Sequence, residues 1–209
     1  MKKITIVEKE KWKEFILVEA QYYLPDDCFG GICVDAGSNI GDFEIRNLKR
    51  FDKYVCFDVF EENIVESINN TKDLGLDIEF NHLAVWSESD EYIDVLAYEP
   101  ASKDLQHFGN SGNVGCIESV GSQGEGWKKE NKIGVVKTIS IESIIEKYGT
   151  INLLKIDVEG SEYKFLLGKD LSKINFIVGE IHFDGEIKQS LIDWICRTHS
   201  YQNGYFRLK

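Results

Sequence analysis

The sequence predicts an α/β domain: a doubly wound, mostly parallel sheet flanked by helices. Short apolar runs recur at 32–36, 54–58, 151–157 and 176–182, each too short for a helix and bounded by turn residues. Segments with helical spacing stand between them, the alternation that builds parallel strands joined by crossover helices. Each run also closes on acidic or polar residues: Asp35, Asp58, Asp157 with Glu159, and Glu180 with His182. Parallel sheets hold ligands beyond the carboxyl ends of their strands, so these four ends are expected to meet at one crevice.

The elements follow in order. Residues from about 8 to 24 read as a helix, with Trp12, Phe15, Ile16, Tyr22 and Tyr23 set among charges, stopped by Pro25-Asp26-Asp27. The first strand, ending Val34-Asp35, leads through a glycine turn into a helix to about Arg50. Tyr54–Asp58 is the second strand, and Glu61 to about Leu74 a helix ended by Gly75. Ile78–Trp86 and Tyr92–Ala97 read as strands around the polar turn Ser87–Glu91. From 98 to 134 glycine and asparagine crowd together, which predicts a lid or acceptor-binding loop, or else an excursion with one hairpin near Val114–Val120. Val135–Ile139 is strand-like, Ser140 is placed to cap a helix over Ile141–Tyr148, and Gly149 to end it. Ile151–Asp157, a helix from about Ser161, Phe176–His182, a helix over Glu186–Thr198 and a last strand at Tyr205–Leu208 complete the chain.

A chain of 209 residues suits one domain over 1–209, with a helical segment at 1–30 and the 98–134 insertion. Its net charge of −12 offers no electrostatic footprint for nucleic acid or an anionic membrane. No segment reaches the roughly 18 apolar residues of a membrane span. The five scattered cysteines form no CxxC pair, and the N-terminus has no apolar signal core, so a reduced cytoplasmic compartment is expected.

The turn Asp35-Ala36-Gly37-Ser38-Asn39-Ile40-Gly41 carries the first chemical signal. Its Gly37-x-x-x-Gly41 spacing is not G-x-G-x-x-G, and Asp42 opens the following helix, where a carboxylate disfavours phosphate. A nucleoside ligand without phosphates fits better, and S-adenosylmethionine (SAM) is the obvious one. Asp58, seventeen residues past Gly41, can accept ribose hydroxyl protons, or else cap the helix behind it. Gly37 and Gly41, with Ser38 and Asn39, would let the methionine portion approach the backbone. Asp35 could pair with the ligand ammonium or accept within an Asx-type turn. Leu83 and Ala84 end the third strand, where an adenine edge could meet backbone amides; Trp86 is a stacking candidate or a core aromatic.

Two further blocks give a family resemblance. Val34–Gly41 is similar to the V-D-x-G-A-N-x-G turn of the FkbM family of SAM-dependent methyltransferases. Leu154-Lys155-Ile156-Asp157-Val158-Glu159-Gly160-Ser161-Glu162 resembles that family's K-x-D-V-E-G-x-E signature, and Val178–His182 its strand ending E-x-H. The chain departs at Phe57-Asp58-Val59, where F-E-P is usual, and little chain follows His182, which leaves the sheet's far edge open. The resemblance implies a Rossmann-like class I methyltransferase fold with SAM as cofactor, Asp157 among the cofactor-binding residues, and O-methylation of a sugar, glycan or secondary metabolite.

An alcohol acceptor must lose a proton, so a base is expected. His182 is the first candidate because imidazole titrates near neutrality, with Glu159 and Glu180 behind it. Asp157, Glu159, Glu180 and His182 also admit a magnesium, calcium or manganese ion, but a hydrogen-bonded brace neutralised by Lys155 or Arg207 is preferred, and no residue is assigned to metal. Tyr98, His107, Phe108 and Trp127 are available to stack on a sugar ring. The competing readings are a degenerate SAM-binding module with an interaction role, and a nicotinamide-dependent enzyme.

Overall fold

A computed structural model describes residues 22–100, 114–116, 127–182 and 185–209. The central sheet holds seven strands: β1 (Ile32–Ala36), β2 (Lys53–Asp58), β3 (Ile78–His82), β8 (Ile151–Ile156), β9 (Ile174–Gly179), β10 (His199–Gln202) and β11 (Tyr205–Leu208). Their order is β10-β11-β9-β8-β1-β2-β3. The first five are mutually parallel, while β11 runs antiparallel to β9 and β10 to β11. Five helices are described: α1 (Asp42–Arg46), α2 (Glu61–Thr71), α3 (Ile141–Tyr148), α4 (Glu162–Leu166) and α5 (Gly185–Thr198). The order reverses between β1 and β8, the place where an open α/β sheet opens a crevice at its carboxyl edge.

Alternation along the buried strands sorts the core onto two faces. Val34, Ala36, Val55, Phe57, Leu154, Ile156 and Ile177 pack with Ile141 and Ile144 of α3, Phe165 of α4 and Leu191 and Ile195 of α5. Cys33, Tyr54, Cys56, Leu153, Phe176 and Val178 point the other way, onto Phe43, Phe51 and Tyr205. The cysteines here are fillers: Cys28, Cys33 and Cys56 are buried free thiols. None of the described helices is long and apolar enough to cross a membrane.

Local signals placed most boundaries. Ser140 Oγ accepts from the Ser143 N–H at 3.3 Å, and the Gly149 N–H reaches Ile145 O, closing both ends of α3 as its sequence requires. Other elements differ from expectation. The helix after the glycine turn stops at Arg46 rather than near Arg50, because Asn47 leaves helical geometry and its side chain donates to Phe43 O. The strand expected over 78–86 is two pieces: β3 stays in the main sheet, while β4 (Ala84–Val85) joins β7 (Trp127–Ile139) in a second sheet. That sheet, ordered β4-β7-β5-β6, includes β5 (Tyr92–Pro100) and β6 (Val114–Cys116). The described part of the 98–134 insertion is therefore antiparallel sheet, and the rest lies outside the described residues, as do His107 and Phe108. Most of the helix expected over 8–24 also lies outside them, and Tyr22 to Leu24 are not helical.

The far edge of the sheet is complete. β10 and β11 form a hairpin through Asn203 and Gly204, both at positive φ (43° and 94°), as a tight two-residue turn needs. Asn-Gly is the strongest short-range hairpin signal, and it was available in the sequence.

Candidate active site

The cleft at the β1/β8 switch encloses about 360 Å³, within the range of small-molecule sites. Gly37, Asn39, Asp58, Phe60 and Asn63 line it; Leu83, Ala84 and Val85 give an apolar wall, and Asp157, Glu159 and Glu180 an acidic patch. The structure thus brings together eight of the predicted residues. Asp35, Ser38 and Gly41 lie behind this surface, and His182 sits just behind the three acids.

Asp58 is nearly buried and already partnered. Its Oδ2 accepts the Asn39 N–H at 2.9 Å, while Oδ1 accepts the Phe60 N–H at 2.9 Å and Asn63 Nδ2 at 3.1 Å. The two roles weighed for it therefore merge: it braces the start of α2 and faces the cleft. A carboxylate offers about four acceptor positions, so these bonds leave room for one ribose hydroxyl rather than the two expected. Burial pushes its pKa up to about 6 against the pull of Phe60, Asn63 and Asn39. Because the folded-state value is raised, the native fold favours the proton, and Asp58's contribution to stability falls as pH rises toward 6. Ligand binding takes the opposite sign, since a hydroxyl needs the ionised acceptor. SAM affinity is expected to weaken as pH drops through about 6, and calorimetry of Asp58→Asn should show that pH dependence flattened.

Asp35, expected to pair with a ligand ammonium or to accept within the turn, lies beneath the cleft surface. It is fully buried, and its Oδ1 lies 2.9 Å from Lys155 Nζ on the adjacent strand, where the two residues are register partners. Lys155 also donates to Gly37 O at 2.6 Å, so one ammonium fastens the turn to β8. Burial works to lower the Lys155 pKa, but Asp35 outweighs it and holds the group above its ordinary value. Glu44 of α1 is buried nearby; burial first, then the Asp35 charge, raises its pKa well above its ordinary value. Arg207 lies elsewhere, paired with Asp27.

Gly37 is demanded by the strands rather than by a ligand. A Cβ there would stand 1.8 Å from the Asp157 carbonyl oxygen. At Gly41 a Cβ would come within 3.3 Å of Ser67 Cβ, so this glycine seats α1 on α2. Trp86 is buried with Lys164 above its ring, which makes it a core aromatic.

His182 is ringed by carboxylates. Nδ1 lies 2.7 Å from Glu162 Oε1, and Nε2 lies 3.5–3.6 Å from oxygens of Asp157, Glu159 and Glu180. Burial alone would lower its pKa, but the Glu162 hydrogen bond and the charges of Glu162, Glu159 and Asp157 raise it to about 9. A ring so placed favours its protonated form, which works against the base role expected of His182; Glu159 and Glu180, the other two candidates, line the cleft.

Two residues of this constellation escaped the sequence reading. Glu162, read in the sequence only as the end of the signature block, is fully buried and also accepts from the Gly160 N–H at 3.2 Å. Tyr22 donates to Asp157 Oδ2 at 2.9 Å from a segment 135 residues away, and no local pattern announces it.

The lining offers what a nucleoside bearing an amino-acid tail requires: an ionisable acceptor for a hydroxyl, an apolar wall for a base, and carboxylates. A family model described as methyltransferase FkbM domain matches residues 35–205. No curated protein matches the chain. Among solved structures, M. capricolum TrmK in complex with the natural cofactor product S-adenosyl-homocysteine is similar at 10% identity with a TM-score of 0.40, covering 86% of this chain. The match takes in 60% of that structure's chain, less than two thirds of its length.

Proposed function

This chain belongs to the methyltransferase FkbM family, whose methyl donor is SAM, and from that premise we propose that it methylates a hydroxyl of a sugar, glycan or secondary metabolite. The observation that carries the reading is the make-up of the cleft at the β1/β8 switch, whose lining combines Asp58, an apolar wall and the acids Asp157, Glu159 and Glu180. When bound, SAM supplies an electrophilic methyl on a sulfonium.

The residues of this chain do the rest. Asp58 takes a ribose hydroxyl, and Phe60, Leu83, Ala84 and Val85 shield the base. Asp157 stands where the cofactor and acceptor regions meet. Glu159 or Glu180 takes the acceptor's hydroxyl proton, since both are carboxylates on the cleft surface. Charge is lost as an oxyanion meets a sulfonium, so the apolar wall favours the reaction by excluding water. The acidic patch suits a neutral polyol and repels a polyanion such as nucleic acid. The 98–134 insertion is assigned to acceptor selection.

Calorimetry with SAM, its demethylated product and NAD tests the cofactor half: the first two are expected to bind and NAD is not. Asp58→Ala should weaken SAM binding at least about tenfold, the loss of one charge-assisted hydrogen bond. Equal affinity would remove Asp58 from the ribose. The acceptor is sought by mass spectrometry of glycans and metabolites from cells with and without the gene, looking for species that differ by one methylene.

A further inference from the structure

We propose that Asp157, Glu180 and His182 form a binding site for a six-coordinate divalent cation of the magnesium or manganese class, at the acidic patch of the cleft. One ligand atom from each of these residues lies within 4.8 Å of the others. His182 Nε2 is 3.6 Å from Asp157 Oδ1 and 3.5 Å from Glu180 Oε2. Those gaps exceed an ordinary N–H···O bond of about 2.9–3.0 Å. They approach the roughly 3.0–3.4 Å between neighbouring ligands of an octahedral ion with bonds of about 2.1–2.4 Å.

Independent support comes from what stands behind the ligands. Metal-bound histidines characteristically give their other ring N–H to a carboxylate, which fixes the ring and aims the remaining nitrogen. Here Glu162 Oε1, fully buried and anchored by the Gly160 N–H, takes Nδ1 at 2.7 Å and turns Nε2 toward the acids. Asp157 is oriented in the same way, its Oδ2 held by the Tyr22 hydroxyl while Oδ1 faces His182.

Charge points the same way. Four carboxylates (Asp157, Glu159, Glu162 and Glu180) surround one imidazole, and Lys155, the cation adjoining them in sequence, is committed to Asp35 and Gly37. A divalent ion beside neutral His182 would be held by the charge of Asp157 and Glu180. Nitrogen and carboxylate ligands together suit manganese or magnesium better than soft metals.

Three protein ligands leave about three coordination positions for water or substrate. An acceptor with two adjacent oxygens, such as the vicinal diol of a sugar, could fill two of them, and a bound hydroxyl would ionise more readily. Glu159, on the cleft surface beside the ligands, would then take the released proton. This role rests on the methyl-transfer reading; the binding of the ion does not.

The test is titration of Mn²⁺ into the full chain, followed by the loss of the free-ion electron paramagnetic resonance signal. One saturable site per chain is expected, with Mg²⁺ competing for it. Glu180→Gln, at an exposed position that leaves the core intact, should weaken Mn²⁺ binding at least about tenfold. Glu62→Gln, on the outer face of α2, should leave it unchanged. No saturable site, or equal affinity in the two variants, would overturn the proposal. SAM calorimetry on the same samples reads the methyl-transfer assignment separately: Mn²⁺ binding without SAM binding would keep the metal site and defeat that assignment.

Discussion

Gly37→Ala is expected to abolish the folded, SAM-binding protein. The new Cβ would lie 1.8 Å from the Asp157 carbonyl oxygen and 2.8 Å from its carbon, and both are backbone atoms. Neither side can yield. The Asp157 N–H is bonded to Ala36 O at 2.9 Å, and the Gly37 N–H to Phe57 O at 2.9 Å. Lys155 draws the Gly37 carbonyl in from below at 2.6 Å. Relief requires parting β1 from β8 at the point where the cleft forms, so stability and binding should fail together. Gly168 supplies the control, because it has the same φ of +83° and a Cβ added there would meet nothing within 4 Å. Gly168→Ala should therefore cost only the left-handed strain, about 1–2 kcal/mol. Thermal melting and SAM calorimetry of both variants decide the matter. A Gly37→Ala protein that melts and binds like the Gly168 variant would show that β8 can move.

The second large effect is expected from Lys155→Met. Asp35 has no solvent exposure, and Lys155 is its cationic partner at 2.9 Å across the strands. Removing one member of a buried pair strands the other charge, which typically costs about 3–5 kcal/mol. The loss should appear as a lower denaturant midpoint with an unchanged slope. Its pH dependence gives a sharper check. Burial already holds the folded-state pKa of Asp35 above its ordinary value despite Lys155; losing Lys155 raises it further, so the variant's relative stability is greatest at low pH and falls as pH rises. Lys155→Met combined with Asp35→Asn removes the stranded charge and should recover much of the loss. A gap under about 1 kcal/mol, or one insensitive to pH, would mean that the pair carries little weight.

Glu44 explains why this face tolerates such a pair. It is buried beside Asp35, which with burial favours its neutral form, and the Cys56 thiol donates to its Oε1 at 3.2 Å. The turn that presents the cleft thus rests on a small polar core, with apolar packing on either side. Lys155 and Asp157 belong to the same signature block, yet on alternate positions of one chain they do different work. Lys155, buried at the foot of the cleft, is held by Asp35 and Gly37 O and fastens the turn; Asp157 stands at the cleft surface.

The alternation of short apolar runs with helical segments was enough to place β1, β2, β8 and β9, because burial on both faces leaves a local trace in each strand. The helix caps at Ser140 and Gly149 were legible for the same reason: a cap is satisfied within a few residues. The Asp157–Glu162 block singled out the family, and the polar strand ends marked the crevice. What the sequence did not contain was who faces whom. The opposition of Asp35 and Lys155, the reach of Tyr22 to Asp157, and the seat of His182 on Glu162 join segments 20 to 135 residues apart. Such contacts follow from strand register, which is a sum over the whole buried sheet and writes no pattern into any one segment. The sequence by itself determined the elements, the family and the chemical character of the site. Tertiary structure alone decided that Asp35 is a strut beneath the cleft and that His182 is held within a ring of acids.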